Sequence, residues 1–187
     1  MKIKSEILKQ FVPSNVCLQC DGCCRFKEKK SSWRPRMTSE EIKQAVNKGL
    51  AAEILSKEIF SQDGRIKTVS CGSEYRCSFF HPEDHTCGIY QARPFECQLY
   101  PFVLTRDTDG AGVYVHLNCP FVQQKHDSED FERYVKYLKE FFAHQQVLDF
   151  LKRNPSLIGD YAAYREELEF MFRLPRYSAS PLLCEEE

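Results

Sequence analysis

Cys17-Leu18-Gln19-Cys20-Asp21-Gly22-Cys23-Cys24 places four cysteines in eight positions. Cysteine often serves as a small buried hydrophobe, but the neighbours here are mostly polar and no helical or alternating apolar pattern runs through them. Cys17-x2-Cys20 has chelate spacing: the backbone turns tightly enough for two sulfurs to reach one metal, at about 2.3 Å for zinc. Cys20-x2-Cys23 repeats that spacing, and Gly22 is expected to supply the backbone freedom of the turn. Cys23 and Cys24 are adjacent, so their side chains diverge, and one of them is expected to serve a second site or a different iron of one cluster. Cys77, Cys87 and Cys97 follow at ten-residue intervals, and Cys119 comes twenty-two residues later. These eight sulfurs make two complete four-thiolate sets.

The rest of the composition narrows the setting. The chain has 187 residues, 42% of them hydrophobic, with 14 Phe and 9 Tyr, enough for an ordinary core in one domain or one domain with an extension. Its 26 basic and 27 acidic residues nearly cancel, so no overall field attracts nucleic acid or an anionic membrane. No apolar run approaches the roughly 18 residues of a membrane span. Met1 to Gln10 mixes Lys and Glu with isolated apolar residues, unlike a signal peptide. A cytoplasmic protein is expected, and in that compartment ten cysteines point to metal or redox chemistry rather than to disulfides.

Thr38 followed by Glu41 predicts a capping box, with Ile42, Ala45, Val46 and Leu50 at helical spacing behind it. A second short helix is expected from Ala51 to about Phe60, and a strand over 65–69 after the turn Asp63-Gly64. From Cys71 to Pro120 the chain is rich in Cys, Pro, Gly and aromatics, which predicts irregular backbone held by something besides an apolar core. Within it, residues 100–105 and 112–117 flank Asp107-Thr108-Asp109-Gly110 and predict a hairpin. Phe131, Tyr134, Val135, Leu138, Phe141, Phe142, Leu148 and Leu151 predict one long amphipathic helix, and residues 160–172 a further helix. The tail to Glu187 reads as disordered. The expected architecture is α+β: a small, irregular, metal-stapled domain over residues 15–122 with a C-terminal helical extension over 123–175. That helical pair, with its many aromatics, is also a candidate surface for a protein partner.

Taken in order, the blocks Cys17-x2-Cys20-x2-Cys23-Cys24, Thr38-Ser-Glu-Glu-Ile, Cys77-Ser-Phe-Phe, Cys87-Gly-Ile-Tyr and Arg93-Pro94-Phe95-Glu96-Cys97-Gln98-Leu99-Tyr100-Pro101-Phe102 resemble the YkgJ-type cysteine-cluster family, described as zinc- or iron-chelating. The resemblance covers roughly residues 15 to 122. It implies metal binding through Cys17, Cys20, Cys23, Cys24, Cys77, Cys87, Cys97 and Cys119. One similar branch, the flagellin lysine methylase, carries a four-iron cluster, which makes an iron-sulfur (4Fe-4S) centre an implied alternative to zinc. The residues add to this: Cys17-x2-Cys20-x2-Cys23 matches the first three ligands of bacterial ferredoxin sites, and Cys119-Pro120 is the pair that ends such runs, although far downstream. The close fourth cysteine is missing and Cys24 is extra, so four-cysteine zinc sites compete closely.

Cys71 and Cys184 fall outside these blocks and are expected to be spectators, and His81 and His85 are expected to be solvated. Arg93 is expected to donate hydrogen bonds to carbonyls or sulfurs around a negative centre. Tyr90, Phe95, Tyr100 and Phe102 are expected to shield the centre from water. No phosphate-binding Gly-rich loop, zinc-protease helix or serine-hydrolase elbow is present. Three functional classes remain: metal handling, electron transfer, and an iron-sulfur enzyme such as a protein methylase.

Overall fold

The computed structural model describes residues 8–20, 22–50, 55, 59–108 and 110–175. The expected tail and Cys184 lie outside them. The chain is α+β and divides into two compact units, one of Lys2–Pro101 with Cys119–Phe121, the other of Phe102–Asn118 with the chain from Val122 onward.

In the cysteine-bearing unit, α1 (Ser14–Cys17) is a single turn after Pro13, and the Cys17 N–H donates to the Pro13 carbonyl at 2.9 Å. A 3-10 turn at Gly22–Cys24 leads into β1 (Arg25–Phe26). Gly22 does not use left-handed backbone, and a Cβ there would meet the Cys20 sulfur at an ordinary 3.6 Å, so the turn does not depend on glycine.

The capping box forms as read. Thr38 Oγ1 accepts from the Glu41 N–H at 3.2 Å, Glu41 Oε2 accepts from the Thr38 N–H at 2.7 Å, and α2 runs Ser39–Asn47. It ends in a Schellman motif. The Leu50 N–H donates to Ala45 at 3.1 Å and the Gly49 N–H to Val46 at 2.9 Å, with Gly49 at φ +93°. The helix expected over 51–60 falls mostly outside the described residues.

The strand expected over 65–69 begins later, as β2 (Thr68–Cys71), paired with β3 (Glu74–Cys77) in a sheet ordered β1-β3-β2. Arg65 and Ile66 form only isolated bridges, to Arg36 and Phe60. The reason is the buried Arg65 guanidinium, which donates to the carbonyls of Ser32 and Arg34 at 2.6 and 2.5 Å and ties this segment to the 31–36 passage. The small pair β4 (Phe80–His81) and β5 (Thr86–Cys87) and the short helix α3 (Phe95–Leu99) follow. Phe26, Met37, Ala45, Ile66, Phe79, Phe80 and Ile89 form the core, with Cys77 among them.

The second unit starts with the expected hairpin, β6 (Phe102–Asp107) and β7 (Gly110–His116), in register Phe102↔Val115 to Asp107↔Gly110. Gly110 closes the turn at φ +130°. After α4 (Pro120–Lys125), two corrections apply. The long helix is two, α5 (Glu129–Ala143) and α6 (Gln145–Arg153), broken at His144, which is extended at ψ 128°. His144-Gln145-Gln146 offers no apolar anchor between Phe142 and Val147, so nothing in the core holds a continuous helix there.

The expected helix over 160–172 is instead a 3-10 stretch, Ala162–Glu167, and a strand, β8 (Leu168–Arg173), which pairs with β7 to give the order β6-β7-β8. Leu168, Phe170 and Phe172 alternate with other residues, and β7 offers a free edge, so pairing overrides helical propensity. Bare Gly112 permits this approach, since a Cβ there would stand 3.2 Å from the Phe172 carbonyl. Phe102 stacks on Phe131 at 5.7 Å, and Leu138, Phe142 and Leu151 are fully buried. Phe102 thus belongs to this core. Among the described residues no helix is long and apolar enough to cross a membrane.

Candidate metal centre

Each candidate cysteine except Cys119 is set by a short element of the first unit. Cys17 ends α1, and the Cys20 N–H donates back to the Cys17 carbonyl at 3.2 Å, which curls Cys17-x2-Cys20 into the chelate turn. Cys23 and Cys24 share the 3-10 turn. Cys77 ends β3 opposite Thr68, Cys87 ends β5 opposite Phe80, and Cys97 sits mid-way along α3. Cys119 is buried just before α4.

These sulfurs share one electrostatic neighbourhood. Cys23 exerts a charge effect on Cys17, Cys24, Cys77, Cys87 and Cys97, and it also makes a side-chain hydrogen bond with Cys24. The Tyr100 hydroxyl is influenced by Cys23, Cys119, Cys20 and Cys24. All eight candidates enter this network. Cys71 lies exposed at the end of β2, paired with Glu74. His81 and His85 are exposed as well. Among the described residues the nine cysteines form no disulfide. Nor, among them, do three or more Cys, His, Asp or Glu side chains close on a common point in ligand geometry. The sulfurs are neighbours and not a finished coordination shell.

The donor set nevertheless fits a soft metal. Burial, then the neighbouring Cys87 and Cys23, push the Cys77 thiol up to about 12. Cys97 is raised well above the thiol range by burial and by Cys23, Cys77 and Cys87. Cys24 is raised by its hydrogen bond with Cys23 and by burial, and Cys87 chiefly by burial. Thiols that oppose one another's ionisation stay protonated, and a bound metal reverses this by taking the protons' place. Thiolates in this number select zinc, copper(I) or iron-sulfur clusters.

Arg93 supplies a fixed positive charge at Cys17. Its Nη1 donates to Cys17 Sγ at 3.6 Å and its Nη2 to Gln10 Oε1 at 2.9 Å, while its guanidinium stacks 3.7 Å over the Tyr90 ring. The donation to sulfur expected of Arg93 is present. Two buried polar atoms at this place have no aligned partner, Arg93 Nε and the Tyr90 hydroxyl. The hydroxyl lies close enough to Cys17 to favour its thiolate all the same.

Sequence reasoning missed the frame around Cys97. Glu41 Oε1 accepts from the Phe95 N–H at 2.5 Å, and Glu96 Oε2 accepts from the Arg36 N–H at 2.5 Å. Burial pushes Glu96 up to about 7. The only local signal was the capping-box glutamate itself; its second role spans 54 residues.

No curated protein and no solved structure matches the chain. A family model does: residues 16–142 match CxxCxxCC, described as "Putative zinc- or iron-chelating domain". That stretch covers well over half of the sequence and contains all eight candidate cysteines. With this match and its cysteines gathered in one neighbourhood, the chain belongs to the CxxCxxCC family.

Proposed function

We propose that the protein binds metal through Cys17, Cys20, Cys23, Cys24, Cys77, Cys87, Cys97 and Cys119, and that the bound group is an iron-sulfur cluster in preference to zinc. The observation that carries the reading is the position of Cys23, whose charge reaches five other candidate cysteines. The preference for iron rests on the ferredoxin-like spacing of Cys17, Cys20 and Cys23 and on Cys119-Pro120. When bound, such a cluster supplies one-electron chemistry; this chain's part is to hold it, exclude water and balance its charge.

The metal function is assigned to residues 15–122, which take in the 102–118 hairpin between Cys97 and Cys119, with 123–175 as the helical extension. A protein partner there would meet the polar outer faces of α5 and α6, because Tyr134, Leu138, Phe141, Phe142 and Leu151 are buried. The thiol content favours a reducing compartment, the cytoplasm. Electron transfer and protein methylation are the reactions that an iron-sulfur centre would bring within reach.

Anaerobic purification with iron, zinc and acid-labile sulfide analysis tests the reading. The expected result is iron with sulfide and broad visible absorption that reductant bleaches. Colourless protein holding about one or two zinc ions, as four-thiolate sites require, and gaining no iron on anaerobic reconstitution, overturns the cluster. Protein that takes up neither metal overturns the centre.

A further inference from the structure

Around Cys17 three independent contacts converge on one side chain. Arg93 reaches across 76 residues to the sulfur with Nη1, across 83 residues to Gln10 with Nη2, and holds its guanidinium carbon 3.7 Å over the Tyr90 ring. A guanidinium has five donors in a fixed plane, so stacking one face and anchoring one nitrogen fixes where the other nitrogen points. Stack and anchor together leave Nη1 little choice but the sulfur. Arginine is also always charged, and the charge effect of Arg93 extends to Cys87 as well as Cys17.

We propose that Arg93 is the positioning residue of the metal centre: held by Gln10 and Tyr90, it orients the Cys17 sulfur and offsets part of the negative charge that the thiolates bring. The inference rests on the proposed centre and adds to it a residue that touches a ligand without being one. A hydrogen bond to a ligating sulfur stabilises the sulfur lone pairs, so removing it lowers the energy of sulfur-to-metal charge transfer. Partners of this kind are typically worth about 10–100-fold in metal affinity.

Cobalt(II) alone is a sufficient probe, because thiolate coordination gives it intense near-ultraviolet charge-transfer absorption. Wild-type protein, Arg93→Gln, Arg93→Lys and Gln10→Leu are titrated anaerobically, with circular dichroism as the check on folding. Arg93→Gln is expected to bind about 10–100-fold more weakly and to move the band to longer wavelength. Arg93→Lys keeps the charge without the planar fork and recovers part of both, while Gln10→Leu, which frees the anchor, moves the band a smaller distance in the same direction. A purely structural arginine would alter the fold without moving the band of the folded, loaded fraction. If Arg93→Gln does not fold, the band in the other two variants decides. Bands and affinities equal to wild type in the folded variants overturn this inference alone; a wild type that shows no thiolate band overturns the metal centre and the inference with it.

Discussion

Glu41 joins the start of α2 to the start of α3: one carboxylate oxygen accepts the Thr38 N–H at 2.7 Å and the other accepts the Phe95 N–H at 2.5 Å. A helix start leaves N–H groups without intrahelical partners, and here one side chain serves two such starts. Glu96, the next residue of α3, answers with a hydrogen bond from the Arg36 N–H. The helix that carries Cys97 is thereby attached at its first turn to the 36–41 passage.

Glu41→Ala removes both bonds and leaves two donors in a buried place. A loss of roughly 2–3 kcal/mol is expected, given about 1–3 kcal/mol for each buried donor left unsatisfied, partly relieved by water. Denaturant unfolding measures it, and a change under about 0.5 kcal/mol, ordinary for a surface substitution, would show that the bridge contributes nothing.

Eight cysteines share a neighbourhood, while Cys71 lies exposed at the end of β2. Cys71→Ser is expected to leave metal content per chain unchanged, because Cys71 is exposed at the end of β2. Cys184→Ser is expected to do the same. Cys20→Ser and Cys97→Ser should each lower metal content after anaerobic reconstitution. Equal losses from Cys71→Ser and Cys97→Ser would mean that proximity to Cys23 does not mark the ligands.

What could be read from the chain and what could not separate by distance along it. The chelate turn at Cys17-x2-Cys20, the Thr38–Glu41 box and the β6–β7 hairpin depend on neighbours within a few residues, and all three form. β8 depends on an edge that β7 offers some fifty residues earlier, and the alternation Leu168-Glu169-Phe170-Met171-Phe172 was hidden by good helix formers before it. The break at His144 is a missing anchor and not a breaking residue, so no Pro or Gly announces it. The contacts Glu41–Phe95 and Arg93–Gln10 span 54 and 83 residues and leave no periodic trace. For the centre itself, residue types were legible at once because thiolate spacing is local within the first block, whereas the gathering of Cys77, Cys87, Cys97 and Cys119 around it needed the fold.

Two histidines of the second unit should act on stability in opposite directions as pH changes. The Asp127 carboxylate hydrogen-bonded to Nδ1 at 2.9 Å raises His126 above its ordinary value, against some burial and with help from Glu169 at 3.0 Å. Its contribution is therefore full below about pH 6.5, the unfolded value, and is lost as pH rises through the folded value. Burial lowers His116, and Glu167 at 3.2 Å only partly offsets it. Its contribution is present above about pH 6.5 and is lost as pH falls through the folded value. Thermal melts of His126→Gln and His116→Gln against wild type should differ most on the acid and alkaline sides respectively. Parallel profiles for both variants would refute the assignment.

Removing the metal should separate the two units. The second has a conventional core, with Phe102 on Phe131 and Tyr134, and Leu138, Phe142, Val113 and Val115 fully enclosed. The first builds its cysteine-bearing elements from pieces of two to five residues, too short to be stable alone. In such sites the free energy of metal binding is largely free energy of folding. Hydrogen exchange after treatment with a strong chelator should therefore rise steeply across residues 14–26 and 74–101, while the amides of β7, α5 and α6 keep their protection. Uniform loss in both units would mean that they fold as one cooperative block. Unchanged protection around Cys17 to Cys24 in demonstrably metal-free protein would mean that the apolar core alone holds the cysteine unit, and the metal would then be cargo rather than a structural support.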